Sequence, residues 1–342
     1  MKILLVGIDF FDYSLSLQHA FERLGHSVKT CEIKQNYGTL EKVYRELYGL
    51  YQRRIKHINP ICWGPKLLQE RRSKRIINEA REYQPDLLVC FPGYGLTAKA
   101  LGKMGNFHKI IWVYDSIERL PDLLSVLPMY NNIFTFEGTD VQRYQKKGYE
   151  AEFLPLCVDD QAYYPIEAEK DIDILFIGNL SNSRVKELLD IREAFPNVNM
   201  VVYGRYSITL ENDEELKNRL NKHQDIFTKK LVSVEDANIL YSRSKICINL
   251  LHSQSQYGGN MRLYEICAAG GFQIVDSNPY IEENFSGCMV ITHNSDEMKK
   301  AIEYYLGNDK ERERIAKKGY DKIRKSELFV HRAKEILNKA IN

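Results

Sequence analysis

Short apolar runs alternate with longer amphipathic stretches from one end of this chain to the other, and that alternation constrains the fold more than any other feature. It is the pattern of βαβ units, in which strands form a parallel sheet and helices cover it. In the first half it predicts strands at 2–8, 27–33, 86–91, 109–114, 132–136 and 152–156, with a long, mostly helical insertion at about 40–83 between the second and third. A polar, weakly periodic stretch follows at 158–170, with Pro165 and several acidic residues, and reads as a linker. The alternation then restarts, with strands expected at 172–177, 199–203, 226–228, 245–250, 272–275 and 289–292. Helices are expected at about 295–306, 309–325 and 328–340. The run Ile3-Leu4-Leu5-Val6-Gly7 is echoed by Ile174-Leu175-Phe176-Ile177-Gly178. A chain of 342 residues exceeds one typical core. The expected class is therefore α/β, with two Rossmann-like domains whose parallel sheets face a central cleft. The first spans 1–157, the linker 158–170 and the second 171–327; a last helix at 328–342 crosses back to the first domain.

Charge and cysteine usage remove several function classes. A net charge of +2 argues against a dedicated nucleic-acid partner. The longest apolar runs are of strand length, too short to span a bilayer. Met1-Lys2-Ile3-Leu4-Leu5-Val6-Gly7 is too short, and too soon followed by Asp9, for a signal peptide. The seven cysteines are scattered and odd in number, without a C-x-x-C pair, and read as reduced thiols of a cytoplasmic protein.

The densest chemistry lies in the segment from Gly258 to Gly271, a loop and helix between two apolar strands. Gly258 and Gly259 allow close backbone approach at the mouth of the helix, and the N–H groups near Asn260 favour an anion such as phosphate. Arg262 adds a planar cation suited to phosphate oxygens, and Glu265, one turn on, suits a ribose diol. A diphosphate on a ribose describes a nucleotide sugar. Gly178 and Asn179 follow the first strand of the second half, where parallel sheets bind ligands, and Arg184 stands within reach of a diphosphate. The alternative there is a plain βα turn with a solvated arginine. Tyr203 and Gly204, in Tyr203-Gly204-Arg205-Tyr206, border a base or a phosphate, or form a simple glycine turn. Asn249 and His252 end the strand before the loop; His252 suits a phosphate or a sugar hydroxyl and has no partner at metal-ligand spacing. Ser253-Gln254-Ser255-Gln256-Tyr257 reads as a loop that orders on ligand binding. No metal site is expected: the one Asp-x-Asp, Asp171-Ile172-Asp173, opens a buried strand.

In the first half, Asp9 and Asp115 follow apolar strands and are the candidate catalytic carboxylates. For Asp115-Ser116 the competing reading is a helix N-cap. The segment 52–81 is rich in Arg and Lys. Its favoured reading is a solvated helix face with Tyr44, Leu47, Tyr48, Tyr51 and Ile55 packed inward at helical spacing. The alternative is a surface for an acidic acceptor or for anionic lipid at the inner membrane face.

The Gly178 and Glu265 segments together resemble a GT-B glycosyltransferase. The second half resembles more closely the glycosyl-transferase-1-like domain of the spore-maturation protein CgeB family. The resemblance is carried by Asp173-Ile174-Leu175-Phe176-Ile177-Gly178 with Arg184, by Asn249, and by Arg262-Leu263-Tyr264-Glu265-Ile266-Cys267-Ala268-Ala269-Gly270-Gly271-Phe272. Leu154-Pro155-Leu156-Cys157-Val158-Asp159 with Tyr164-Pro165, and Ala316-Lys317-Lys318-Gly319-Tyr320 with His331-Arg332, also fit. It covers roughly 150–340 well, and the first half more loosely through Trp112-Val113-Tyr114-Asp115. It implies metal-independent sugar transfer with no cofactor, the nucleotide sugar (UDP-linked by default) in the second domain and an acceptor in the first. By position it puts Arg184 at the diphosphate and Glu265 at the ribose, as the second glutamate of an E-x7-E motif. The first glutamate falls at Tyr257, and Asn179 replaces the arginine that usually follows the strand glycine. Retention of configuration follows from the resemblance; inversion would call on Asp115 or Asp9. A nucleotide-sugar epimerase of the same fold and a non-catalytic nucleotide-sugar binder are the competing classes. An epimerase needs acid and base groups around the sugar, and the sequence does not display a convincing set.

Overall fold

The computed structural model describes residues 1–8, 12–33, 38–55, 61–93, 95–205, 213–228, 230–252 and 254–341. The chain divides into two compact units, Met1–Leu156 with Phe329–Asn342, and Cys157–Leu328.

Unit 1 is built on a six-stranded parallel sheet: β1 (Lys2–Gly7), β2 (Ser27–Glu32), β3 (Leu87–Cys90), β4 (His108–Val113), β5 (Asn132–Thr135) and β6 (Glu152–Phe153), in the order β2-β1-β3-β4-β5-β6. Ile3, Leu4, Leu5 and Val6 of β1 and all of β3 have no exposed surface. Strands buried on both faces carry unbroken apolar runs, and each such side chain contributes roughly 1.5–3 kcal/mol. The helices are α1 (Tyr13–Arg23), α2 (Thr39–Ile55), α3 (Lys66–Tyr83), α4 (Ala98–Met104) and α5 (Gly138–Gln145), and the last element of the chain, α13 (Phe329–Ile341), joins them. Buried Arg332 anchors α13 by donating from Nε to the Pro155 carbonyl at 2.8 Å. Phe329 packs edge-on against Phe91 and Trp112.

Unit 2 has a five-stranded parallel sheet: β7 (Ile172–Ile177), β8 (Met200–Tyr203), β9 (Ser244–Asn249), β10 (Gln273–Asp276) and β11 (Val290–Thr292), in the order β11-β10-β9-β7-β8. Its helices are α6 (Asn182–Ala194), α7 (Glu214–Lys222), α8 (Val234–Arg243), α9 (Met261–Ala268), α10 (Pro279–Phe285), α11 (Ser295–Leu306) and α12 (Asp309–Ser326). Six of them begin on a Ser, Asp or Asn whose side chain accepts the N–H three residues on: Ser181, Asp213, Ser233, Asn260, Asn278 and Asn294.

In both sheets the unit's first strand lies between its second and third. The winding direction therefore reverses between β1 and β3, and again between β7 and β9. Ligands of such sheets sit at the carboxyl ends of the strands flanking that reversal.

Three expectations change. The segment 226–228 is not a strand: a short 3-10 turn, Gln224–Ile226, leads into one bridge between Phe227 and Val202. The stretch 158–170 is not a free linker. Tyr163 is buried, the Tyr164 N–H donates to Asn238 at 3.2 Å, and Lys170 donates to the Ser244 carbonyl at 3.1 Å, so the segment lies along unit 2. Third, Tyr44, Leu47, Tyr51 and Ile55 of α2 do not pack inward but are exposed, because buried Glu41 pairs with Arg72 of α3 and turns the opposite face of the helix inward.

Candidate functional site

At the reversal in unit 2, the carboxyl end of β7 runs through Gly178 and exposed Asn179 into α6, which carries Arg184. Ser181 caps that helix, which fixes where Arg184 leaves its first turn. Arg184 is 6% exposed and donates from Nη1 to the Asn179 carbonyl at 2.9 Å and from Nη2 to the Leu250 carbonyl at 2.7 Å. It thus ties the turn after β7 to the end of β9. Burial, and secondarily the charge of Arg262, pull its pKa down to about 9, still cationic at neutral pH.

Arg262 enters the same place from the first turn of α9. A Cβ built on Gly178 would stand 3.1 Å from Arg262 Nη1 and 3.2 Å from its Cζ, so the guanidinium lies over the glycine and any larger residue would displace it. Its Nε is buried and has no hydrogen-bond partner among the described residues. An unmade hydrogen bond of this kind costs roughly 1–3 kcal/mol, and a charged donor more. Two guanidinium groups brought together, one with an orphaned donor, form a site that an anion would relieve.

One carboxylate in the neighbourhood escaped the sequence reading. Asp276 ends β10 and accepts the Leu251 N–H at 2.9 Å. The Leu250–Leu251 peptide is therefore held from both sides, by Arg184 and by Asp276. Burial raises the Asp276 pKa to about 6, against the Leu251 hydrogen bond and the Arg184 charge, while Glu187 raises it further. Its position at the carboxyl end of a parallel strand was the signal that could have found it.

The remaining residues divide by the jobs they do. Tyr203 and Gly204 continue the sheet: the Gly178 N–H donates to the Tyr203 carbonyl at 2.9 Å, and a Cβ on Gly204 would overlap the Gly178 carbonyl oxygen. Asn249 is fully buried, its amide bonded to Asn260 and Gln273. Asn260 caps α9 by accepting the Leu263 N–H at 3.0 Å, so that part of the helix start is already used internally. Gly259 is required by packing: a Cβ there would overlap Leu263. The Gly258 carbonyl accepts from Asn278 at 2.9 Å, and the same amide holds the Ser255 carbonyl at 3.0 Å. The loop expected to be loose is thus pinned at two points. Glu265 is 5% exposed and accepts from the Tyr241 hydroxyl at 3.4 Å. His252 is exposed, and its Nδ1 accepts the Gln254 N–H. The Tyr257 hydroxyl donates to Glu283 of α10 at 2.7 Å, so a carboxylate reaches this position from a different helix.

In unit 1, Asp115 accepts from Arg119 at 2.5 Å. The capping role expected of Asp115-Ser116 falls instead to fully buried Asp140, which accepts the Ile117 N–H at 2.8 Å and the Ser116 hydroxyl at 3.1 Å. Asp9, Lys56, Tyr206 and Ser253 lie outside the described residues. The pair Asp171 and Asp173 sits at the amino end of β7, bound to Arg243 and Lys245, away from the ligand end of the sheet. Among the described residues no group of three His, Cys, Asp or Glu side chains is arranged to hold a metal, and no helix is long and apolar enough to cross a membrane. All seven cysteines are free thiols, five of them buried.

Residues 184–338, just under half of the chain, match a family model described as "Glycosyl transferase-like". No curated protein matches the sequence. Among solved structures, the chain is similar to the N-terminal domain of Candida albicans trehalose-6-phosphate phosphatase, at 12% identity and a TM-score of 0.69, covering 99% of this chain and 96% of that one. A trehalose 6-phosphate synthase from Burkholderia multivorans aligns at 10% identity and 0.66, covering 99% and 96%. AviGT4, a glycosyltransferase involved in avilamycin A biosynthesis, aligns at 13% identity and 0.64, covering 100% and 97%. At such identities the likeness speaks for the fold, which is GT-B, with two Rossmann-like units. The family match over residues 184–338 and the GT-B fold of the chain together support sugar transfer by a glycosyltransferase.

Proposed function

We propose that unit 2 binds a nucleoside diphosphate sugar, with UDP as the default nucleotide, and that the enzyme passes the sugar to an acceptor held by unit 1. The observation that carries this reading is the buried, unpartnered Nε of Arg262 beside the Arg184 cation, both inside the stretch that matches the family model. A diphosphate supplies the missing anion. Its charge grows as the glycosyl bond breaks, and preorganised cations stabilise a developing charge without reorganising. Arg184 and Arg262 fill that role without a metal. Glu265 takes the ribose, its carboxylate oriented by Tyr241.

Retention is the favoured outcome, with a donor phosphate oxygen accepting the acceptor's proton. One observation weighs against Asp115 as a base: its Oδ1 is held by Arg119, so protonation there would break an ion pair. The likeness of residues 150–340 to the CgeB family favours a surface or spore polysaccharide as the acceptor, with the work done on the cytoplasmic side.

Calorimetric titration with UDP tests the site. Arg262→Ala and Glu265→Ala are expected to abolish measurable binding; unchanged affinity in either would sink the assignment of that residue. Turnover by Asp115→Asn, measured with donor affinity in parallel, separates the two stereochemical routes. Transfer near the unsubstituted rate is expected for retention, whereas lost transfer with intact UDP binding would make Asp115 the base. Melting-temperature shifts across a panel of nucleotide sugars identify the donor, since a ligand of the native state raises the midpoint by mass action.

A further inference from the structure

We propose that α2 is an interfacial helix that docks the protein on an anionic lipid surface. The observation is an inversion of polarity. Glu41 and Gly49 are the buried residues of α2, with Arg45, Tyr48 and Gln52 half-buried beside them, so the face turned to the protein is mostly polar. Leu40, Val43, Tyr44, Leu47, Leu50 and Tyr51 recur at helical spacing on the other side and are 40–88% exposed. Among the described residues, seven of the fourteen exposed large apolar side chains belong to this one helix, while most of the others are scattered singly. Isolated apolar residues on a surface need no partner, but a continuous stripe does.

Rolling the helix to bury the stripe would expel Glu41 and break its ion pair with Arg72. The Glu41–Arg72 pair and the burial of Glu41 and Gly49 therefore hold the apolar face outward.

Charge decides the occupant. The helices α2 and α3 carry ten Lys and Arg against five Asp and Glu, a net of +5, whereas the whole chain carries +2. The remaining residues thus sum to −3, and the two helices hold a local excess of positive charge. Lys42, Arg53 and Arg54 of α2 are exposed around the stripe. A second copy of the chain would bring the same patch against itself, because a two-fold interface is isologous, and like charges would oppose across it. An anionic bilayer offers both an apolar layer for the stripe and negative head groups for the rim, and a helix with this division of faces lies in the plane of the interface.

The test is flotation of the full chain with vesicles of equimolar phosphatidylcholine and phosphatidylglycerol, and with phosphatidylcholine alone. The expected result is recovery with the anionic vesicles, reduced at least about threefold on phosphatidylcholine alone or at high salt. The double substitution Leu47→Glu with Tyr51→Glu is expected to lower recovery by about tenfold or more, with an unchanged melting temperature, because both side chains are exposed. Arg53→Glu with Arg54→Glu is expected to remove the preference for anionic lipid. No recovery with anionic vesicles overturns the proposal, as does full recovery of the Leu47→Glu, Tyr51→Glu protein. Sedimentation giving a dimer that this same variant dissolves would assign the stripe to a second copy and overturn it equally.

Discussion

The two units solve one topological problem twice and furnish it differently. In each, the first strand sits between the second and third, and a glycine at a strand end abuts a neighbouring carbonyl: Gly7 against Phe91 in unit 1, Gly204 against Gly178 in unit 2. Around the carboxyl ends in unit 1 aromatic contacts predominate, with the Asp115–Arg119 ion pair beside them. Phe91 stacks on Trp112 at 4.6 Å and Tyr13 on Tyr114 at 5.8 Å. The equivalent place in unit 2 is ionic, with Arg184, Arg262 and Asp276 converging on Gly178 and the Leu250–Leu251 peptide. The shared strand order supplies a place for a ligand, and the side chains delivered there decide whether it attracts an anion or completes a core.

The comparison can be broken first at the glycines. Gly7→Ala and Gly204→Ala each drive a methyl into a backbone carbonyl, and each is expected to cost on the order of 3 kcal/mol or more in denaturant unfolding. Both tryptophans, Trp63 and Trp112, lie in unit 1, so tryptophan fluorescence reports that unit directly. Gly7→Ala should move the fluorescence transition; a fluorescence midpoint unaffected by Gly7→Ala would refute the matched role of the two glycines.

The ionic character of unit 2 comes next in size. Arg184→Met should weaken UDP binding by about 10- to 100-fold, the range of one charge-assisted contact, while Arg119→Met in unit 1 should leave it unaltered. Equal losses in both variants would erase the distinction between the units.

A smaller effect sharpens the role of Asp276. Its folded pKa of about 6 stands above the ordinary 3.8, so between those values the native state keeps a proton that the unfolded chain has released. The associated stability is fully present below about 3.8 and is lost as pH rises through about 6. With discounting for partial exposure, the loss is on the order of 2 kcal/mol. Asp276→Asn should therefore be more stable than the unsubstituted chain at neutral pH, the gap opening between pH 4 and 6. A gap that stays constant over that range would show that the carboxylate is not strained. The smallest effect is expected from Tyr257→Phe, which loses an exposed hydroxyl contact to Glu283; UDP affinity should stay within about threefold.

Much of this was legible in local pattern. The short apolar runs marked all eleven strands of the described residues, ten of them to within one residue and that at 152–153 only by its start, because the interior of a parallel sheet needs unbroken apolar segments. The placement of Gly178 at a strand end and of Arg184 and Arg262 in the first turns of helices was legible for a similar reason, since element boundaries and residue type are both local facts. What failed was non-local. The periodicity of Tyr44, Leu47, Tyr51 and Ile55 identified a helix but chose the wrong face as buried, because the Glu41–Arg72 pair lies thirty-one positions apart in sequence. Asn249 looked like a ligand contact, yet its amide is consumed by Asn260 and Gln273, residues on other elements.

By itself, then, the sequence determined the succession of elements, the two-unit α/β plan and the helix starts that carry the cations, all of which follow from hydrophobic period and turn chemistry within short windows. The tertiary structure decided which polar groups meet. Arg184 reaches the Leu250 carbonyl across sixty-six positions, and Asp276 closes on Leu251 across twenty-five. Such pairings depend on how strands order in the sheet, and once buried they set the charge balance, the orphaned Arg262 donor and the outward face of α2. Burial energy responds to all neighbours at once, which no window of sequence contains.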